Sequence, residues 1–183
     1  AETLARIRLL FELAIVVSQA LTAVWFYKLF RNIDEWGAWT LGIWGTINSA
    51  VIMISAIAMG SAIDIANSTT QSYDTKVALI QLLVEFITNA WGVGSLFFGL
   101  WLIPMGYFAL RSNRMPPWLG RILIIGGIGY LLTTFIKYMG FTNPLIDILV
   151  IPATIGEFWM ISYLFIYGIQ VPNEQKGTFP KSN

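Results

Sequence analysis

Five apolar runs, each roughly 20 residues or longer, constrain this chain more than any other feature of its sequence. They cover residues 7–27, 38–63, 77–110, 118–139 and 145–169. A helix of about 20 apolar residues crosses the hydrocarbon core of a bilayer, which is about 30 Å thick. The alternating pattern typical of membrane β-strands is absent. The sequence therefore predicts an all-α, polytopic transmembrane helix bundle with five spans.

Composition agrees with a chain that lies largely in lipid. Charged residues make up 11% of the 183 residues, whereas a soluble domain carries about 25%. No linker divides the apolar runs, so we expect one transmembrane domain over residues 1–170 and a polar tail over residues 171–183. The net charge of +1 gives no electrostatic basis for binding nucleic acid. The expected partner is the lipid bilayer.

Two residue types that carry much of enzyme chemistry are missing. The sequence contains no cysteine and no histidine, which removes thiol catalysis, the commonest metal ligand and the commonest proton shuttle. It also offers no paired acidic residues for acid–base catalysis. We therefore expect a protein that is not an enzyme, with no catalytic residue, no metal site and no cofactor.

Basic residues between the runs predict the orientation in the membrane. With five spans, the N-terminus and the second and fourth connections share one side, which carries four basic residues: Arg6, Arg8, Lys76 and Lys137. The other side carries seven: Lys28, Arg31, Arg111, Arg114, Arg121, Lys176 and Lys181. The positive-inside rule assigns the second side to the cytoplasm. We therefore expect a cytoplasmic C-terminus and residue 1 on the outer side.

Three stretches in the second half of the chain resemble a known family. They are FFGLWLIPMGY (residues 97–107), RSNRMPPWLGRILIIGGIGYLL (111–132) and PATIGEFWMISYLFIYG (152–168). Over residues 90–169 the chain resembles the bacterial membrane family catalogued as domain-of-unknown-function family 4386. The resemblance implies a six-helix fold in the bacterial inner (plasma) membrane and no particular reaction. A helix upstream of residue 1 is also what an outer N-terminus predicts.

Glu157 lies at the centre of the fifth run. A carboxylate there is about 18 Å of helix from either end, and an acid at the bilayer centre costs at least about 2.5–3.5 kcal/mol. By counting, Gln19 and Asn48 lie near the same depth, so the three residues are expected to form one polar site. Two interpretations stay open. Glu157 binds a proton, cation or ligand, or it is a protonated carboxyl hydrogen-bonded between helices.

Two acid–base pairs are expected at the outer ends of the runs. Lys137 and Asp147 belong to adjacent runs joined by a short turn, where they form an ion pair or reach lipid headgroups separately. Arg8 and Glu12 are four residues apart, which is typical of an ion pair on the surface of a helix.

The break between the third and fourth runs is basic. Arg111, Arg114 and Arg121 flank two prolines there, and arginines at a cytoplasmic membrane surface attract anionic lipid headgroups. We therefore expect these three residues to bind headgroups.

Small residues recur at helical spacing in three of the runs. Such stripes allow helices to pack closely in lipid. The glycines and the serine concerned are Gly42, Gly45 and Ser49 in the second run, Gly92, Gly99 and Gly106 in the third, and Gly120, Gly126, Gly127 and Gly129 in the fourth.

Two functions fit these patterns. The scarcity of ionisable groups and the many packing stripes favour a non-catalytic subunit or packing partner of a larger membrane assembly, bound to other subunits or to itself. The alternative is a small proton- or ion-coupled transporter that uses Glu157, with Pro152 interrupting the same run.

Overall fold

The computed structural model of the protein describes residues 2–112, 114–141 and 143–168. These residues form α1 (Glu2–Phe30), α2 (Glu35–Asn67), α3 (Tyr73–Arg111), α4 (Pro117–Tyr138), a 3₁₀ helix (Pro144–Val150) and α5 (Ile151–Tyr167). Within this part of the chain, five segments are long and apolar enough to cross a membrane, the last being the 3₁₀ helix joined to α5. The prediction of an all-α bundle with five spans is confirmed. The predicted polar tail, with Lys176 and Lys181, lies outside the described residues.

The first backbone N–H groups of a helix have no partner within the helix. Several helices here begin next to a side chain that accepts a hydrogen bond from such a group, or at a proline, which has no N–H. Asp34, Ser72 and Asn143 precede α2, α3 and the 3₁₀ helix, and each accepts a hydrogen bond from a first-turn backbone N–H at 3.1, 3.3 and 2.9 Å respectively. The first residue of α4 is Pro117, whose fixed φ suits that position and which has no N–H to satisfy. Gly140 follows α4 with φ 93°, a left-handed conformation that glycine adopts without strain.

The fifth run is not one continuous α-helix, and its interruption lies next to Pro152, where the sequence predicted one. It begins as the 3₁₀ helix and becomes α-helical at Ile151, so Pro152 lies in the first turn of α5 instead of its interior. Proline has no N–H to donate to the preceding turn, which explains the change of helix type at this point. Thr133 of α4 donates a hydrogen bond to the carbonyl of Ile146 at 3.2 Å, which stabilises the 3₁₀ segment against α4.

Glycines determine how closely α4 packs on both sides. A Cβ atom at Gly106 of α3 would lie 2.5 Å from the carbonyl oxygen of Gly120, and a Cβ atom at Gly99 would lie 2.7 Å from that of Gly127. On another face of α4, a Cβ atom at Gly126 would overlap Cα of Ala153 in α5, and one at Gly129 would overlap the carbonyl group of Leu149 in the 3₁₀ helix. The backbones are therefore in direct contact at both interfaces.

The helices form an antiparallel series in which each packs mainly on its neighbours in sequence. We call the end where α1 meets α2 the Arg111 end, and the end where α2 meets α3 the Lys137 end. At the Arg111 end, the buried rings of Phe30 and Phe108 stack with centroids 4.4 Å apart. This aromatic contact joins α1 to α3 in the main core.

A cleft separates the two outermost helices. α1 packs on α2, and α5 packs on α4, so the two face each other across α3. Few of their residues are buried: Glu12, Ala23, Phe26 and Phe30 in α1, and Ala153, Gly156 and Met160 in α5. The cleft contains the carboxyl group of Glu157.

Candidate functional site

Glu157 reaches the cleft because the residue before it fixes α5 against α4. A Cβ atom at Gly156 would lie 2.9 Å from Cδ2 of Leu123, so this face of α5 is in close contact with its neighbour. Glu157 lines two cavities on the next face. Its Oε1 atom is buried and has no hydrogen-bond partner among the described residues. Oε1 therefore does not form the interhelical hydrogen bond expected of a purely structural carboxyl group.

The first cavity, which we call the Trp101 cavity, has a volume of about 320 Å³. It lies between α1, α3, α4 and α5 and is largely apolar and aromatic. Its lining comprises Ser18, Gln19, Thr22, Phe26, Phe98, Trp101, Leu102, Met105, Leu123, Glu157, Met160, Ile161, Leu164 and Phe165. The hydroxyl groups of Ser18 and Thr22 bond to carbonyl oxygens of their own helix. The side-chain amide of Gln19 differs, because its Nε2 atom is buried without a partner in the described structure.

The second cavity, the Asn48 cavity, has a volume of about 340 Å³. Its lining comprises Ile15, Gln19, Asn48, Ile52, Trp91, Gly94, Ser95, Phe98, Tyr130 and Glu157. It shares Gln19, Phe98 and Glu157 with the Trp101 cavity. The structure thus brings together the three residues of the expected polar site, Gln19, Asn48 and Glu157, around one cavity. Glu157 therefore lies between the two cavities and lines both of them.

The third cavity, the Lys137 cavity, has a volume of about 390 Å³ and lies at the Lys137 end. Lys137 and Asp147 line it, and Lys137 Nζ lies 2.6 Å from Asp147 Oδ1. This exposed ion pair connects the last turn of α4 to the 3₁₀ helix. The Lys137 cavity shares Ser95 and Tyr130 with the Asn48 cavity. From the Lys137 end to the Trp101 cavity, each cavity therefore shares lining residues with the next.

The structure contradicts our expectation that Glu12 lies on the surface of its helix. Glu12 pairs with Arg8 at 3.3 Å, but its side chain is not on the surface, because Glu12 is only 3% exposed. Ser55 of α2 donates a hydrogen bond to it at 2.9 Å, and the indole N–H of Trp91 in α3 donates another at 3.3 Å. Glu12 therefore connects three helices. The spacing of Arg8 and Glu12 could not reveal this, because the two further partners lie 43 and 79 residues away.

The three arginines expected at headgroups do not form one cluster of equivalent side chains. Arg111 is exposed and donates a hydrogen bond to the hydroxyl of Tyr107. The guanidinium of Arg121 lies 4.6 Å from the centroid of the Trp118 ring. Arg114 is half-buried. Arg111 and Arg121 are both exposed, and Arg111 Nη1 also lies 3.9 Å from Asp34 Oδ2.

Sequence reasoning missed Asp34, which organises the connection between α1 and α2. Its carboxylate accepts hydrogen bonds from the backbone N–H of Gly37 at 3.1 Å and from the hydroxyl of Tyr107 at 3.0 Å. These two donors hold the pKa of Asp34 below its usual range. The one indication in the sequence was its position just before a helix, where aspartate commonly caps the first turn. The contact with Tyr107 could be identified only from the folded structure.

The side chains around Glu157 do not suit a metal ion. In the described part of the chain, no three His, Cys, Asp or Glu side chains lie close enough together to hold one. Calcium takes six to eight oxygen ligands, whereas the two cavities at Glu157 offer one carboxyl group and the amides of Gln19 and Asn48.

Comparisons with known proteins identify the family. The model of the family described as "Domain of unknown function (DUF4386)" matches residues 1–168, which extends the resemblance of residues 90–169 to almost the whole described chain. An uncharacterized protein of Archaeoglobus fulgidus is 26% identical over 69 residues, covering 38% of this chain and 43% of that protein. The chain thus spans less than half the length of this relative. No solved structure matches the chain.

Proposed function

The chain belongs to the DUF4386 family. We propose that this integral membrane protein is a small transporter in which Glu157 carries a proton or binds an ion. The observation that carries the proposal is the buried Oε1 atom of Glu157, which lacks a hydrogen-bond partner among the described residues and lines two cavities. A carboxyl used only for packing is stabilised by hydrogen bonds between helices. A transport site has to leave its carboxyl free to exchange a ligand.

The lining residues shared between cavities support access to Glu157 from one end of the bundle. Ser95 and Tyr130 line both the Lys137 cavity and the Asn48 cavity, and Glu157 lines the latter. Hydroxyl groups can donate and accept hydrogen bonds, so these residues can solvate a proton or ion on its way to the carboxyl. In this proposal the exposed Lys137–Asp147 pair lies at the entrance.

A flux assay tests the proposal. The protein is reconstituted in liposomes that contain a pH-sensitive dye, and a pH gradient is imposed across the membrane. We expect Glu157→Gln to abolish the protein-dependent dissipation of the gradient, because glutamine has similar shape but cannot carry the proton. The matched control is Glu85→Gln, since Glu85 is an exposed acid of α3 that lines none of the three cavities. Equal flux in both variants would contradict the proposal.

The orientation is part of the same proposal. The Arg111 end faces the cytoplasm of a bacterial cell, where Arg111 and Arg121 bind anionic headgroups, and the Lys137 cavity faces the outer side. The support is the distribution of basic residues between the two ends.

A second function is favoured by the sparse burial of α1 and α5. In a complete bundle the outer helices bury one face, yet only Ala153, Gly156 and Met160 of α5 are buried. A non-catalytic subunit, or a packing partner in a larger membrane assembly, would bury the remaining surface against other subunits or a second copy of itself.

Native mass spectrometry after extraction in mild detergent separates the two functions. A stoichiometric partner protein that covers α1 and α5 would favour the subunit function. Cross-linking from an α5 position in the cleft, such as Ile161→Cys, would then identify the contact. A monomer with Glu157-dependent flux would favour the transporter.

A further inference from the structure

The two cavities at Glu157 contain one carboxyl group and no basic side chain among the described residues. Glu157 is the one acidic residue that lines the Trp101 cavity and the Asn48 cavity, and no lysine or arginine of the described chain lines either of them. A carboxylate that is removed from water is costly unless an opposite charge accompanies it. The described side chains supply no such charge. The carboxyl is therefore neutral when it holds a proton, and a ligand that carries one positive charge is the complement to its ionised form.

The walls favour an organic cation over a metal ion. Phe26, Phe98, Trp101 and Phe165 line the Trp101 cavity, and aromatic faces attract ammonium-type and related cations when water is excluded. Trp101 is only 8% exposed, so its ring presents a water-poor surface. The cavity is also lined by Met105 and Met160, whose flexible thioethers adapt to ligands of different shape. A hydrated metal ion would find too few oxygen ligands here.

The volumes of the two cavities also suit a small organic ligand. The Trp101 and Asn48 cavities have volumes of about 320 and 340 Å³, and Glu157 lines both. Sites for small organic ligands range from about 300 to 1,000 Å³. The unpartnered Nε2 donor of Gln19 borders both cavities. It can hold a polar acceptor of the ligand or one oxygen of the carboxylate.

We propose that the cleft between α1 and α5 binds a lipophilic organic monocation, whose charge pairs with Glu157 and whose apolar body contacts Phe98 and Trp101. This inference rests on the proposed function, because it assigns the ligand of the same carboxyl group. It adds the class of substrate: aromatic or alkyl cations that partition into the membrane and reach the cleft from lipid.

Two probes of matched shape and opposite charge test this proposal. Isothermal titration calorimetry of the protein in lipid nanodiscs measures binding of tetraphenylphosphonium and of tetraphenylborate, with protein-free nanodiscs subtracted. We expect the cation to bind at least about tenfold more tightly than the anion, a difference of about 1.4 kcal/mol. Glu157→Gln should weaken cation binding by a similar factor, and Glu85→Gln should leave it unchanged. Equal affinities for the two probes would overturn the proposal.

A chemical protection measurement covers the case in which Glu157→Gln does not fold. A hydrophobic carbodiimide modifies carboxyl groups in the membrane, and peptide mass spectrometry reads the modification at Glu157 in the unaltered chain. Tetraphenylphosphonium should protect Glu157 from the reagent, and tetraphenylborate should not. The proposal would be overturned if the cation did not protect Glu157. It would also be overturned if a lipid occupied the cleft and the cation did not displace it.

The outcomes separate this inference from the proposed function. Glu157-dependent proton flux without charge-selective binding would leave the transporter standing and remove the organic cation as its substrate. Charge-selective binding without flux would support the cation site and contradict transport.

Discussion

At the scale of single residues, the contrast between Glu12 and Glu157 is the most informative feature of the molecule. Both are acids in apolar helices. Glu12 is surrounded by donors from Arg8, Ser55 and Trp91, whereas Oε1 of Glu157 is buried without a described partner. Satisfied buried polar groups rigidify a core, and unsatisfied ones are costly. Glu12 therefore has a structural role, whereas Glu157 is the acid to which we assign a ligand in our proposal.

Replacing Glu12 should destabilise the protein. Glu12→Ala leaves the hydroxyl of Ser55 and the indole N–H of Trp91 without their acceptor, so we expect the free energy of unfolding to fall by about 2 kcal/mol. Glu12→Gln should lose less, because its amide oxygen still accepts a hydrogen bond. Thermal unfolding in detergent measures the effect. Glu85→Ala is the control, and a Glu12→Ala variant as stable as this control would refute the structural role.

Asp34 should make the protein sensitive to acid. Its pKa is lowered in the folded state by the donors on Gly37 and Tyr107, so its stabilising effect is complete above its unfolded pKa of about 3.9. That effect is lost as the pH falls through the lower folded-state pKa. We expect Asp34→Asn to reduce the fall in unfolding temperature between about pH 5 and pH 3.

The control for Asp34 is Asp74→Asn, an exposed acid in the first turn of α3. Differential scanning fluorimetry across the same pH range compares the two variants. Identical acid profiles would show that the hydrogen bonds to Asp34 do not stabilise the carboxylate.

At the scale of elements, the α3–α4 interface depends on two pairs of facing glycines. Gly106 meets Gly120, and Gly99 meets Gly127, at distances that leave no space for a side chain. Membrane helices associate largely through such close packing. The seven-residue spacing of these glycines predicted close contact, and the structure identifies α4 as the helix that α3 contacts.

Adding one methyl group at this interface should separate the helices. Gly106→Ala brings Cβ to 2.5 Å from the carbonyl oxygen of Gly120, and overpacking of this kind costs about 1–3 kcal/mol. We expect a lower unfolding temperature. In the control, Gly60→Ala, the nearest atom to the new Cβ is Cδ2 of Leu9 at 3.9 Å, so its stability should be equal or higher because alanine favours helix. Equal losses in both variants would contradict the interface described.

At the scale of the whole molecule, the order of packing creates the candidate site. α1 and α5 flank α3 without packing closely on each other, so the bundle retains a cleft instead of a closed core. The cleft places residues from α1, α3, α4 and α5 around one carboxyl group. A closed ring of helices would have buried Glu157 against α1.

The proposed orientation predicts which connections are accessible from outside. The sequence contains no cysteine, so single-cysteine variants report one position each. Asn32 and Gln71 lie in exposed connections at the Arg111 end and the Lys137 end respectively. A membrane-impermeant maleimide should label Gln71→Cys in intact cells and Asn32→Cys only after permeabilisation. The reverse pattern would invert the orientation.

The sequence by itself determined the class of fold and the position of the spans, because hydrocarbon admits only helices and closed β-barrels, and a spanning helix needs about 20 apolar residues. It also indicated the Lys137–Asp147 pair, whose members are separated by one short connection. Only the tertiary structure decided that Glu12 is surrounded by donors and that Oε1 of Glu157 is not. The physical reason is that the hydrogen-bond partners of a buried acid belong to other helices. The rotation and the order of those helices depend on packing across the whole bundle.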